Sequence, residues 1–232
     1  MTDEPNRPDH VIGVGPHASP WPDDPRLDLE LLATGDRRNV LDEYRYWTVD
    51  AIVADLDRRR HSFHVAIENW EHDRNIGTVV RTANAFLAAE VHIVGKRKWN
   101  RRGAMMTDSY QHVRHHETID GLVAWATAAR LPIVGIDNFP GSVPLETYDL
   151  PEHCVLLFGQ EGPGLSDAAH EAAEAVCSIA QYGSTRSINA GDYISYSGTH
   201  NRDHPSLGSP SSCNSGSPAI RGIRKMVTQT ER

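Results

Sequence analysis

The sequence predicts an α/β domain built on a parallel sheet flanked by helices, and three observations carry that expectation. Short apolar runs recur through residues 61–191, each too short for a helix and bounded by turn residues. Segments with helical spacing of apolar side chains lie between them, the alternation expected of a parallel sheet covered on both faces. A glycine-rich bend directly follows one apolar run and precedes a helical segment, and such bends at the carboxyl ends of parallel strands are where α/β folds bind ligands.

The elements follow in order. Residues 1–30 are rich in Pro, Asp and Gly with no hydrophobic period, and are expected to form a mostly disordered arm. Residues 31–60 read as a helical extension: apolar positions recur at Val40, Leu41, Tyr44, Trp47, Ala51, Ile52 and Leu56, Thr48 is placed to cap a helix, and the segment ends in Arg58, Arg59 and Arg60. Within residues 61–191, strands are expected at 64–70, 90–95, 131–138, 154–159 and 175–180, with helices at 76–88, 121–130 and 166–175. From residue 192 to 232 the rhythm stops. This segment is a polar tail rich in Ser, Gly and Pro, a composition that cannot bury enough apolar area to offset the entropy of ordering.

Composition narrows the function classes. A net charge of −8 argues against a chain that coats nucleic acid indiscriminately, yet leaves room for a local basic patch. No run is apolar enough to span a membrane, and the polar start MTDEPNRPDH lacks the pattern of a signal peptide, so a cytoplasmic location is expected. Cys154 and Cys177 sit in apolar runs and are expected in the core; Cys213 lies in the tail, and no Cys-x-x-Cys pair occurs. His112, His115 and His116 have no Cys or carboxylate at metal-ligand spacing, so no metal is expected and these histidines are placed on a helix or loop near the substrate.

Three segments carry the chemistry. The first runs from Asn75 through Gly77 and Arg81 to Phe86, an Asn-x-Gly turn feeding a helix that bears an arginine among apolar neighbours. Taken alone, that arginine equally suits a surface residue lying along an apolar face. The second, Phe158-Gly159-Gln160-Glu161-Gly162-Pro163-Gly164-Leu165-Ser166, is the glycine-rich bend. It is neither a Walker loop, having no Gly-Lys-Ser/Thr, nor a Gly-x-Gly-x-x-Gly dinucleotide site, and this speaks against an unrelated nucleotide-binding enzyme. The third, Tyr182-Gly183-Ser184-Thr185-Arg186-Ser187-Ile188-Asn189, follows the last strand.

In this order and spacing the three segments resemble the signature motifs of the SpoU/TrmH RNA ribose methyltransferases of the SPOUT superfamily, over about residues 61–190. The resemblance implies a C-terminal deep trefoil knot, a homodimer, S-adenosylmethionine as cofactor, and transfer of its methyl group to a ribose 2′-hydroxyl in structured tRNA or rRNA. Residue by residue it implies catalytic roles for Arg81, Asn75, Glu161, Ser187 and Asn189. It also places the cofactor against Gly159, Gly164, Ile179, Gly183 and Ile188, the last standing where the family has Leu. A guanidinium is a poor base, so Arg81 is read as the cation that orients the ribose or an adjacent phosphate and stabilises developing alkoxide charge.

The run Lys96-Arg97-Lys98-Trp99-Asn100-Arg101-Arg102 places five cations and an indole together just after a strand. It is expected to contact RNA through Lys96, Arg97, Lys98, Trp99, Arg101 and Arg102, with phosphate neutralisation by the cations and base stacking on Trp99. Arg58, Arg59 and Arg60 are candidates to extend that patch.

The chain departs from the family after Asn189. Family members continue into an apolar helix that completes the knot and the dimer surface, whereas here the polar tail follows. This leaves open whether the knot closes at its C-terminal end. It also keeps an alternative in play, a non-catalytic RNA-binding relative whose cofactor site the tail has damaged.

Overall fold

The computed structural model describes residues 13–71, 73, 75–160, 162–181, 184, 190–191 and 194. Seven parallel strands form one sheet in the order β3-β2-β1-β6-β4-β7-β5. They are β1 (His64–Asn69), β2 (Val91–Gly95), β3 (Val113–His116), β4 (Ile133–Ile136), the two-residue β5 (Val143–Pro144), β6 (Val155–Phe158) and β7 (Ala175–Ser178). Helices accompany them, among the described residues α1 (Leu29–Thr34), α2 (Val49–Asp57), α3 (Ile76–Ala85), α4 (Ile119–Ala129) and α5 (Asp167–Ala172). Among the described residues, no helix is long and apolar enough to cross a membrane.

Alternation along the strands divides the core into two layers. Val65 and Ile67 of β1 face a cluster with Ile76, Val79, Val80 and Ala83 of α3, together with Cys154 and Cys177. Ala66, between them, faces the opposite cluster with Leu122 and Ala126 of α4 and Ala169 of α5. Both layers are needed because a parallel sheet is apolar on each side. Burial pushes the Cys154 thiol up to about 12 and the Cys177 thiol up to about 11, as befits inert core cysteines. Cys213 lies outside the described residues.

The helical extension forms as its sequence signals suggest. The Thr48 side chain accepts the Ala51 N–H and caps α2, while Ile52 and Leu56 bury their side chains against Tyr44 and Tyr110. The three arginines that close this segment all have carboxylate partners, and Arg60 is buried, which takes it out of the expected patch. Arg58 and Arg59 pair with Asp55 one turn back on α2, and Arg60 bonds Asp57 at 2.7 Å. Arg60 is also buried, donating to Gln111 Oε1 and the Tyr110 carbonyl at 2.8 Å each. The i−3 and i−4 carboxylates set this outcome.

The expected disordered arm requires correction from residue 13 onward. Val14 and Asp36 form an antiparallel bridge, as do Leu27 and Trp47. Tyr46 Oη donates to the Gly15 carbonyl at 2.6 Å, and Arg26 lies over the Trp47 ring at 4.2 Å. The anchor is Asp36, whose fully buried carboxylate accepts from Arg38 Nε (2.9 Å), Arg38 Nη2 (2.7 Å) and the backbone N–H groups of Arg38 (2.9 Å) and Tyr46 (3.0 Å). Composition alone hides this because backbone bridges and single polar contacts, not an apolar period, hold the segment.

Burial alone would raise the Asp36 carboxyl, but the Arg38 side chain and the two backbone donors outweigh it and hold the group at about 2. A depressed carboxyl contributes stability above its unfolded value, and that contribution is lost as pH falls from the usual carboxylate range toward 2. Asp36→Asn is therefore expected to cost about 2 kcal/mol at neutral pH and to flatten the acid limb of the stability curve. Urea unfolding at pH 7 and pH 3 checks this, and a variant as acid-sensitive as the parent would contradict it.

The expected polar tail also starts later than residue 192. Ala190, Gly191 and Ile194 are helical, and Ile194 is fully buried in the α3-side cluster, with Ala190 packed against it. Ala190 and Ile194, four residues apart, share one helix face. The remaining tail lies outside the described residues, as does the threading of any knot through residues 185–189.

Candidate cofactor and RNA site

The strand order reverses between β1 and β6: β2 and β3 extend the sheet one way from β1, and β4, β7 and β5 the other way from β6. A crevice outside the carboxyl ends of strands at such a switch point is where open α/β sheets bind ligands. Here Ile67 of β1 is in register with Phe158 of β6, so the chain leaving β1 toward Asn75 runs beside the glycine-rich bend leaving β6. Gln160 joins them, its Oε1 accepting the backbone N–H groups of Trp70 at 3.1 Å and Glu71 at 2.7 Å.

The bend itself is tightly determined. Gln160 and Gly164 exchange backbone hydrogen bonds of 3.0 and 3.2 Å. This fold-back leaves no room at Gly159, where a Cβ would stand 2.0 Å from the Gly164 carbonyl carbon, and Gly164 itself adopts φ +78°. Gly162 has φ +100° and open space where its side chain would point. Ser166 then caps α5 by accepting the Ala169 N–H.

Two polar residues hold the bend and a third holds the chain leaving β7, none of them singled out by sequence. Glu68, fully buried on β1, accepts from Ser166 N (2.8 Å), Ser166 Oγ (2.7 Å) and Trp70 Nε1 (2.7 Å). Asp137 Oδ2, just past β4, accepts the Leu165 N–H at 2.9 Å. The adjacent Asn138 Oδ1 accepts the Ile179 N–H at 3.1 Å. The signals were a carboxylate inside an apolar strand and an Asp-Asn pair closing another. Asp137 and Asn138, adjacent at the end of β4, thus bond Leu165 next to Gly164 and Ile179 past β7. Of the other cofactor-binding expectations, Gly183 and Ile188 lie outside the described residues.

On the motif-one side, Asn75 begins α3 without a side-chain cap bond, and Arg81 follows in the second turn. Arg81 is exposed, while Val79, Val80 and Ala83 around it face the core. Among the described residues it has no ion-pair or hydrogen-bond partner. The other expected catalytic residues, Glu161, Ser187 and Asn189, lie outside the described residues.

The basic run leaves β2 as an exposed loop with Lys96, Arg97, Lys98, Arg101 and Arg102 on its surface and Trp99 half-buried against the core. Asn69 anchors it, its Nδ2 donating to the carbonyls of Lys96 at 2.6 Å and Lys98 at 3.2 Å. Asp73 and residues 96–100 line an open concavity of about 710 Å³, and Arg101 stands 5.5 Å from the Trp99 ring centroid. Gly77 of α3 lies so close to Gly103 and Ala104 that a Cβ there would approach their backbone to 2.7 Å. The basic loop is thus packed directly against the helix that carries Arg81. The histidine expectation needs correction: His115 and His116 lie on β3, in register with Ile93 and Val94, rather than on a helix or substrate loop.

A family profile described as the SpoU rRNA methylase family matches residues 62–192, more than half of the chain. The chain belongs to this family. An uncharacterized tRNA/rRNA methyltransferase of Mycolicibacterium vanbaalenii is 30% identical over 178 residues, covering 72% of this chain and 56% of that relative. The Escherichia coli tRNA (guanosine(18)-2′-O)-methyltransferase is 26% identical over 137 residues, covering 58% of this chain and 60% of that enzyme. The chain therefore spans only about half the length of the curated relatives it matches. Among solved structures, the A. aeolicus TrmH/SpoU tRNA modifying enzyme superposes with a TM-score of 0.57 at 20% identity, covering 78% of this chain and 93% of that one. An AdoMet-bound rRNA methyltransferase from Sinorhizobium meliloti gives 0.55 at 27% identity, covering 68% and 61%. The chain shares the fold of these structures.

Proposed function

We propose that this SpoU family member transfers the methyl group of S-adenosylmethionine to a ribose 2′-hydroxyl of structured tRNA or rRNA, acting in the cytoplasm as a homodimer with a C-terminal trefoil knot. The observations that carry this reading are the glycine bend bonded at the strand-order switch to the chain leaving β1 toward the Arg81 helix, and the end of β4 bonded to both that bend and Ile179. The residues present fit the cofactor: fixed backbone at the sheet's carboxyl edge suits an adenosine, and Gly162 leaves space above the bend. Gly159, Gly164 and Ile179 would hold it, with Gly183 and Ile188 completing the wall. When bound, the cofactor supplies a methyl group already activated by its sulfonium.

The chain's own residues have two tasks, to orient the ribose oxygen in line and to lower the cost of removing its proton. Arg81, exposed and without a partner among the described residues, is available to grip a phosphate or the developing alkoxide. Asn75, Glu161, Ser187 and Asn189 are proposed to surround the reacting ribose. The basic loop would hold the RNA backbone beside that helix, since Gly77 fixes their contact.

The test is calorimetric titration of the 232-residue chain with S-adenosylhomocysteine, followed by transfer of labelled methyl from the cofactor to bulk tRNA and rRNA. Binding with label stable to base but recovered in 2′-O-methylnucleosides is the expected result. RNA binding without any cofactor binding would instead identify the alternative drawn from the polar tail, a non-catalytic RNA-binding relative. For the loop, Trp99→Ala is expected to weaken RNA binding by about 1–3 kcal/mol, the worth of one stacked base, with cofactor affinity unchanged. Filter binding at fixed salt checks this, and an unaltered RNA affinity would remove Trp99 from the interface.

A further inference from the structure

At the amino-terminal half of the sheet, away from the glycine bend, β1, β2 and β3 place three histidines in a row on the α4 side. His64 Nδ1 lies 3.0 Å from His92 Nε2, and His92 Nδ1 lies 2.9 Å from His116 Nε2. Trp125 of α4 covers them, its ring 4.1 Å from that of His92 and 5.0 Å from that of His64. Glu90, just before β2, brings a carboxylate oxygen within 3.8 Å of His92 Nε2. The ligating atoms of His64, Glu90 and His92 all lie within 4.8 Å of one another.

We propose that His64 Nδ1, His92 Nε2 and a Glu90 carboxylate oxygen form a binding site for a divalent d-block cation of the zinc class. Ligands about 2.0–2.1 Å from a tetrahedral zinc ion stand roughly 3.3 Å apart, and the 3.0 and 3.8 Å separations here bracket that value. Two imidazoles and one carboxylate are a donor set that suits zinc, with a fourth position left for water. The outer partners are also in place. His92 can donate its other ring N–H to His116, fixing the tautomer that turns Nε2 toward the ion, and Arg114 Nε holds both Glu90 oxygens at 3.1 Å. Arg114 opposes the ion's charge, but its side chain is half-exposed and its field is screened. His64 and Glu90 are half-buried, so the site opens at the rim of the sheet rather than in its centre. The proposal revises the expectation of a metal-free chain, which rested on the spacing of His112, His115 and His116; only His116 of these belongs to the cluster.

The full chain, stripped of metal by dialysis against a chelating resin, is titrated with Co²⁺ and then with Zn²⁺. The expected result is one equivalent of cobalt with the visible absorption of a tetrahedral nitrogen and oxygen site, displaced by zinc. His64→Asn and Glu90→Gln, both at the half-buried rim, are expected to fold by circular dichroism and to lose that absorption. His116→Gln, which removes only the outer partner, should weaken binding by about 10- to 100-fold. Absence of a saturable cobalt spectrum in the parent chain, or a spectrum unchanged in His64→Asn and Glu90→Gln, overturns the proposal and leaves the three rings as an N–H···N chain alone.

Discussion

Replacing Arg81 with alanine is expected to lower methyl transfer by about 100- to 1,000-fold, the usual loss when one preorganised donor to a developing oxyanion is removed. S-adenosylhomocysteine affinity should stay unchanged, because none of the residues proposed to hold the cofactor lies on α3. Stability should also hold, since the side chain is exposed and the apolar residues flanking it, not Arg81, fill the core. Arg81→Lys separates two roles. A lysine keeps the charge but loses the planar fork, so a loss approaching that of alanine assigns bidentate recognition, and a small loss assigns charge alone. Single-turnover methylation with saturating cofactor makes the measurement. Normal turnover in Arg81→Ala would take this side chain out of the reaction.

Gly159→Ala is expected to abolish cofactor binding and to destabilise the domain by about 1–3 kcal/mol, the range for overpacking a closed site. The added Cβ would stand 2.0 Å from the Gly164 carbonyl carbon and 2.2 Å from both the Gly164 oxygen and the Leu165 nitrogen. All three are backbone atoms, so no rotamer change relieves the clash. Gly164 cannot retreat easily, because a Cβ-sized space beside it is already taken by the Asp137 carboxylate and Leu165 N is bonded to that same group. Gly162→Ala is the comparison. Its Cβ meets nothing, and only the +100° φ resists it, so it should cost about 1 kcal/mol and leave the fold-back intact. Thermal melts and S-adenosylhomocysteine titration of the pair read both effects. Equal cofactor affinities in the two variants would mean that the fold-back does not shape the pocket.

The sequence is informative where period and turn chemistry act locally. The five strands expected between residues 61 and 191 and the three helices between them all appear, because each is a run of apolar residues whose spacing states its own burial. β3 escaped notice because Val113, Arg114, His115 and His116 look polar, and an edge strand has only one neighbour to satisfy. The two-residue β5 has too few residues to carry any period. The first two motifs were legible at the positions where a glycine or a charge has no structural substitute, such as Gly159. The supports were not: Glu68, Asp137 and Asn138 act on partners 28 to 98 residues away in sequence, and no local pattern records which backbone donor they will meet. Arg60 shows the converse error. It closes a basic triplet that reads as a surface for RNA, yet its own side chain is buried against Asp57, Gln111 and the Tyr110 carbonyl.

Arg60 also bears on how this protein can be taken apart. Its guanidinium reaches the Ala88 and Tyr110 carbonyls and Gln111, and Tyr44, Ile52 and Leu56 of the extension share a cluster with Tyr110 and Leu87. Residues 31–60 are thus joined to the sheet domain through its own backbone, and cutting there would open a wound in both pieces. A chimera that carries this segment onto another SpoU domain would need the acceptor's counterparts of Leu87, Tyr110 and Gln111 to travel with it. Whatever residues 31–60 contribute would then pass between SpoU domains only together with this seam.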